Sequence, residues 1–150
     1  MGKSIGLAID FSRAGFTALN WADKYLLPTL NNREDKIYII HIKPGNNPHL
    51  IHDKKFNQIE DLKDHYPEGN WNAVIDTTWN YKSIVSVKVY EGEDIPAMLK
   101  HVSDDVLRLN TLIVGSATLE DGGGPNTSPQ VSRYLVDHPT RCSIVISKEL

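Results

Sequence analysis

Apolar residues along this chain gather in five short runs, separated by polar turns and by stretches with helical spacing. Ser4 to Ile9 is nearly continuous (Ile5, Leu7, Ala8, Ile9), as a strand buried on both faces requires. Lys36 to Ile42 (KIYIIHI) repeats that pattern, and Ser83 to Tyr90 (SIVSVKVY) partly alternates. Thr111 to Val114 and Cys142 to Ser147 (CSIVIS) complete the set. Between the runs, Ala18, Leu19, Ala22, Tyr25 and Leu26 recur at helical spacing until Pro28, with Ser12 available as a cap. Glu91 to Asp94 makes a turn and gives the next helix acidic first-turn residues. Ile95, Met98, Leu99, Val102, Val106 and Leu107 supply that helix's buried face, and Pro96 is tolerated early. Phe56, Ile59 and Leu62 predict a short helix before Pro67, whereas Pro44 to Asn57 reads as loop. Trp71 to Tyr81 is ambiguous: Ala73, Val74 and Ile75 suit a helix, and Thr77 and Thr78 weaken it. A last helix opens at Ser128-Pro129.

Strands alternating with helices imply one doubly wound sheet of five mainly parallel strands with helices on both faces. Right-handed crossovers restrict its topology. Ligands in such sheets sit at the carboxyl ends of strands, at a switch point. Here those ends are Asp10-Phe11-Ser12, His41-Ile42-Lys43, Tyr90-Glu91-Gly92 and Gly115-Ser116.

Composition narrows the function. At 150 residues, residues 1–150 form one domain on this reading. A net charge of −3 and no Lys/Arg cluster argue against a nucleic-acid partner. The single Cys142 excludes an internal disulfide and the usual zinc spacings, and fits a reducing compartment. The apolar run after Met1 is too short for a signal peptide or a membrane span, so a cytoplasmic protein without membrane attachment is expected.

The richest stretch is Val114 to Val136 (VGSATLEDGGGPNTSPQVSRYLV): a strand end, a Gly-rich loop and a helix N-terminus, the parts of a phosphate cradle. Pro129 lacks an N–H, while Gln130, Val131 and Ser132 still offer theirs. Ser128-Pro129 is also good helix-start grammar. Glu120 and Asp121 work against a phosphate: placed ~6 Å away at an effective ε of ~20, each opposes binding by roughly 2–3 kcal/mol, less when screened. Gly122-Gly123-Gly124 reads as a flexible loop or as a new anion nest.

Several segments together resemble the universal stress protein (UspA-like) family, of the small single-domain kind common in plants. They are AIDFS (Ala8 to Ser12), ALNWA (Ala18 to Ala22), IIHI (Ile39 to Ile42), VYEGE (Val89 to Glu93), LIVGS (Leu112 to Ser116) and VSRYLV (Val131 to Val136). Pro44 to Lys82 matches little. The resemblance implies a Rossmann-like, adenine nucleotide alpha hydrolase-like fold. It also implies a stress-response regulator that binds ATP or AMP, with Mg2+ only alongside bound nucleotide, and a homodimer joined through its last strand. The family's motif, Gly-x-x-Gly, a spacer, then Gly followed by Ser or Thr, is altered here. Gly115 is kept, Thr118 stands at the second Gly, and Pro129-Gln130 replace the last pair. Carried over, the cofactor-binding set is Asp10, Ser12, Ile42, Gly115, Ser116, Gln130, Val131 and Ser132.

Each of these also has a plain structural reading. Asp10 accepts from a ribose or adenine amino group, or pairs with Ser12 in a turn. Gly115 lets a ligand approach, or turns the strand end. Ile42 lines an adenine pocket, or is core. His41 reads as core; His49 and His52 lack further metal ligands, and no metal site is expected. Cys142 reads as packing. Tyr66, Trp71, Trp79 and Tyr81 either cover the sheet or a dimer contact, or line a pocket for a flat apolar molecule. No nucleophile–base–acid set is evident, so catalytic residues stay unassigned. The alternative function is that the nucleotide site is lost and the crevice holds another small molecule, in a binding protein or an enzyme.

Overall fold

The computed structural model describes residues 2–12, 15–118 and 120–148. Its sheet has six strands: β1 (Ser4–Ala8), β2 (Lys36–Pro44), β3 (His49–Lys55), β4 (Val85–Gly92), β5 (Thr111–Gly115) and β6 (Ser143–Ser147). The order is β3-β4-β2-β1-β5-β6; all neighbours are parallel except β3, which runs antiparallel to β4. The five-strand expectation is therefore corrected to six. The extra strand lies in the stretch read as loop. The sequence HLIHDKK lacks an apolar alternation because an edge strand draws its order from one neighbour's hydrogen bonds, not from burial.

Three helices, α1 (Thr17–Tyr25), α2 (Ile59–His65) and α3 (Trp71–Thr78), stand on one face. They cover Ile5, Leu7, Ile37, Ile39, Val85, Val87 and Ile113. On the other face α4 (Ile95–His101) and α5 (Pro129–Asp137) cover Ala8, Ile40, Ile42, Leu112 and Val114. Alternate strand residues thus feed two cores, as the near-continuous apolar runs require. Among the described residues no helix is long and apolar enough to cross a membrane.

Local grammar explains most boundaries and corrects some. Asn70 Oδ1 accepts the Ala73 N–H, so the ambiguous Trp71 stretch starts as a capped helix. Asp94 Oδ1 does the same for Ala97, as N-cap to α4, so its charge sits before the first turn rather than in it. That helix passes into a π-turn over Val102–Val106, which rotates Val106 outward to 49% exposure instead of into the core. Tyr25, expected on a buried face, is 55% exposed. Ser12 does not cap α1, whose N-cap is Phe16. Ser128 holds the N-cap position of α5 through its backbone, with no side-chain bond, and Pro129 opens the helix.

Candidate functional site: a filled crevice and its neighbouring cavity

Strand order reverses at β1, so the switch point lies over the ends of β1, β2 and β5. Beyond Ile9, whose N–H donates to Ile40 O at 2.9 Å, β1 parts from β2, and Ile42, in register with Tyr90 of β4 on its other side, turns its N–H and C=O into that gap. The chain fills the gap itself. Ile42 N–H donates to Asn126 Oδ1 and Asn126 Nδ2 donates to Ile42 O, both at 2.9 Å. Asn126 is fully buried.

The rest of the 124–127 turn is tied down on both sides. Asp10, 1% exposed, accepts from the Asn126 N–H and the Thr127 hydroxyl, each at 3.0 Å. Its other oxygen accepts from the Ser12 N–H at 3.1 Å and from the Ser12 hydroxyl. Ala117 N–H donates to Thr127 O at 2.7 Å, anchoring the turn to the end of β5. Gly124 lies so near that an added Cβ would meet Asp10 Oδ2 at 2.7 Å, so close approach requires a glycine there.

The predicted site residues divide among four places. Asp10, Ser12 and Ile42 meet at the filled crevice. Gln130 and Val131 line a cavity of about 1060 Å³ on the outer side of the turn. Ser116 and Ser132 face another cavity of about 670 Å³, with their hydroxyls 3.3 Å apart. Gly115 packs against α1, where an added Cβ would sit 2.9 Å from Thr17 Cβ, a helix-to-strand contact.

The larger cavity has an apolar floor of Ile95, Pro96, Pro125 and Pro129, with Glu93, Asp94 and Glu120 also in its wall and, among the described residues, no Lys or Arg lining it. The two loop carboxylates have parted: Asp121 accepts from the Thr118 hydroxyl at 2.8 Å and faces the smaller cavity. Gly122, at φ 85°, makes the left-handed bend that follows them. The glycine run is thus hydrogen-bonded into the loop, with Gly123 N–H donating to Thr118 O.

Aromatic residues wall the crevice on the α1–α3 side. Phe11 stacks on Tyr66 at 4.7 Å and lies 4.3 Å from the His41 ring. Trp71 packs beside Phe11 and donates from Nε1 to Tyr66 O. Tyr66 and Trp71 are core, whereas Trp79 is 53% exposed, and none of the four singled-out aromatics lines the 1060 Å³ cavity. Tyr66 and Trp71, with Tyr81 packed against the same cluster, cover the sheet. Burial holds the His41 pKa below its usual value, and its Nδ1 lies 3.0 Å from Ile9 O. His52 meets His65 ring to ring at 4.6 Å, and no group of three metal-binding side chains occurs among the described residues. Burial also raises the Cys142 thiol pKa, which leaves it a packing group.

Sequence reasoning missed Asn126 and Thr127. Pro125-Asn126-Thr127 signals a turn, but nothing local shows that its carboxamide reaches a strand 84 residues away.

No family model and no curated protein matches this sequence. Solved structures do match. A universal stress protein from Archaeoglobus fulgidus aligns over 99% of this chain and 100% of its own, with a TM-score of 0.60 and 12% identity. A universal stress protein family protein from Arabidopsis thaliana, with AMP bound, aligns over 99% and 92%, with a TM-score of 0.59 and 15% identity. UspA from Lactobacillus plantarum aligns over 97% of each chain, with a TM-score of 0.56 and 11% identity. The chain therefore has the fold of the universal stress proteins.

Proposed function

We propose that this is a universal-stress-type regulatory protein of the cytosol, which binds a small molecule beside its switch point, and that this molecule is not an adenine nucleotide. The carrying observation is the bidentate pair between Asn126 and Ile42. A carboxamide offers one acceptor and one donor side by side, as N1 and the amino group of adenine do. The chain thus occupies with its own side chain the backbone pair an adenine would use. Opening the turn gives up four buried hydrogen bonds, to Ile42 and Asp10. At about 1 kcal/mol net each, that weakens a competing ligand by roughly a thousandfold.

The 1060 Å³ cavity suits a different guest. Its proline- and isoleucine-lined floor takes an apolar body, and its carboxylates favour a neutral or cationic head. A second reading keeps the nucleotide: AMP in the Arabidopsis neighbour supports an adenine nucleotide (ATP or AMP), with Mg2+ only alongside it, displacing the turn. Homodimerisation through β6 is part of the proposal under either reading.

Calorimetry and thermal melting separate the two. Native protein is expected to give neither heat nor a melting shift with AMP or ATP–Mg2+ at millimolar concentration. A panel of neutral and amine-bearing apolar metabolites is expected to contain stabilising ligands. Gln130→Trp, which fills the cavity from its rim, should abolish that shift. Saturable micromolar AMP binding by the native chain would establish the nucleotide reading instead.

A further inference from the structure

We propose a second ligand site, at the opposite end of the sheet, that holds a multiply charged anion of the phosphate type. Helices α4 and α5 cover Ile40, Ile42, Leu112 and Val114 and reach β4 at Tyr90, while Ser86 and Lys88 at its other end lie outside that cluster. There the same sheet face turns polar, and a cavity of about 640 Å³ opens between β2, β3, β4 and the turn before β2. Register makes it so: antiparallel β3 sets Lys55 against Ser86 and Asp53 against Lys88.

The charge in this cavity runs against that of the chain. The protein has 16 Lys and Arg and a net charge of −3. Five of those cations line this one concavity: Arg33, Lys36, Lys55, Lys82 and Lys88.

The carboxylates nearby, Asp53, Asp35 and Glu34, cancel them only in part. Asp53 is taken by Lys88 at 2.9 Å. Asp35 accepts from the Lys3 and Asn31 N–H groups at 2.7 and 2.8 Å. These backbone bonds are what hold its pKa below the usual carboxylate value. Asp35, kept ionised by those bonds, and Glu34 remain as two counter-charges against the four cations other than Lys88, so the cavity keeps a net positive charge. Lys82 lies over the Trp79 ring at 4.5 Å, and among the described residues Arg33, Lys36 and Lys55 are in no ion pair. Three unpaired cations converging on one cavity, one of them a planar guanidinium fork, match a multivalent oxyanion better than a single carboxylate. This site stands apart from the crevice and does not depend on which reading of the crevice holds.

Inorganic tripolyphosphate is the probe, titrated by calorimetry at constant ionic strength. Saturable binding with one site per chain is expected, weakening as salt is added. The double variant Lys36→Gln, Lys55→Gln should lose about tenfold in affinity or more, and Arg33→Gln alone a smaller factor. Lys24→Gln, on α1 outside the cavity, should change nothing, and Gln130→Trp should leave this binding intact. Absence of saturable heat overturns the proposal. So does an equal loss in the Lys24 variant, which would mean a general charge effect, or unchanged binding in both the double and the Arg33 variants.

Discussion

Asn126 carries the most consequence at the scale of single residues. Its carboxamide completes the backbone pairing of Ile42, and its N–H and the neighbouring Thr127 hydroxyl complete Asp10. Asn126→Ala leaves a buried N–H and C=O without partners, so a loss of about 2–4 kcal/mol is expected in urea unfolding. Asn126→Asp keeps the size and the acceptor but sets a carboxylate oxygen against Ile42 O. It should cost at least as much, whereas an unchanged urea midpoint in both variants would mean the turn contributes nothing to the fold. Asp10 and Ile42 were recognisable from sequence as strand-end residues near a ligand position. What they bond to was not, because the partner arrives from the far end of the chain.

Among the elements, the two edge strands differ in a way that decides their roles. Strand β3 carries Asp53, Lys54 and Lys55 and a register shift between Leu50 and His52, the devices that keep an edge from pairing with another chain. Strand β6 (SIVIS) has none of these: Ile146 is exposed, and Val136 of α5 is 63% exposed. Under the proposed dimer, the native chain should sediment as a dimer and Ile146→Lys as a monomer with little change in melting temperature. A native chain that sediments as a monomer would remove β6 from that role. Strands β1, β2, β4, β5 and β6 were legible because burial wrote apolar runs into them. Strand β3 was hidden, since its order comes from backbone pairing with β4 and its side chains are free to be polar.

For the molecule as a whole, two buried or half-buried histidines set a pH dependence. Burial lowers the pKa of His41, and burial with the neighbouring His65 lowers that of His52. Unfolding returns both to about 6.5, so the unfolded chain binds more protons and native stability falls as pH drops below about 6.5 toward the folded values. Thermal melting should therefore be flat above about pH 7 and decline toward about pH 5. His41→Asn, which keeps a donor near Ile9 O but cannot titrate, should shallow that decline; an unaltered slope would exonerate His41. By itself the sequence determined the alternation of strands and helices, the covering of both sheet faces by helices and the family whose fold this is. Those features are written in short-range periodicity, which burial imposes residue by residue. Only the tertiary structure decided that β3 joins the sheet, that the crevice is closed by Asn126, and that five cations meet at the opposite end. Each of those depends on groups far apart in the chain, and spacing along a sequence carries no record of which distant hydrogen-bonding group will be left without a partner.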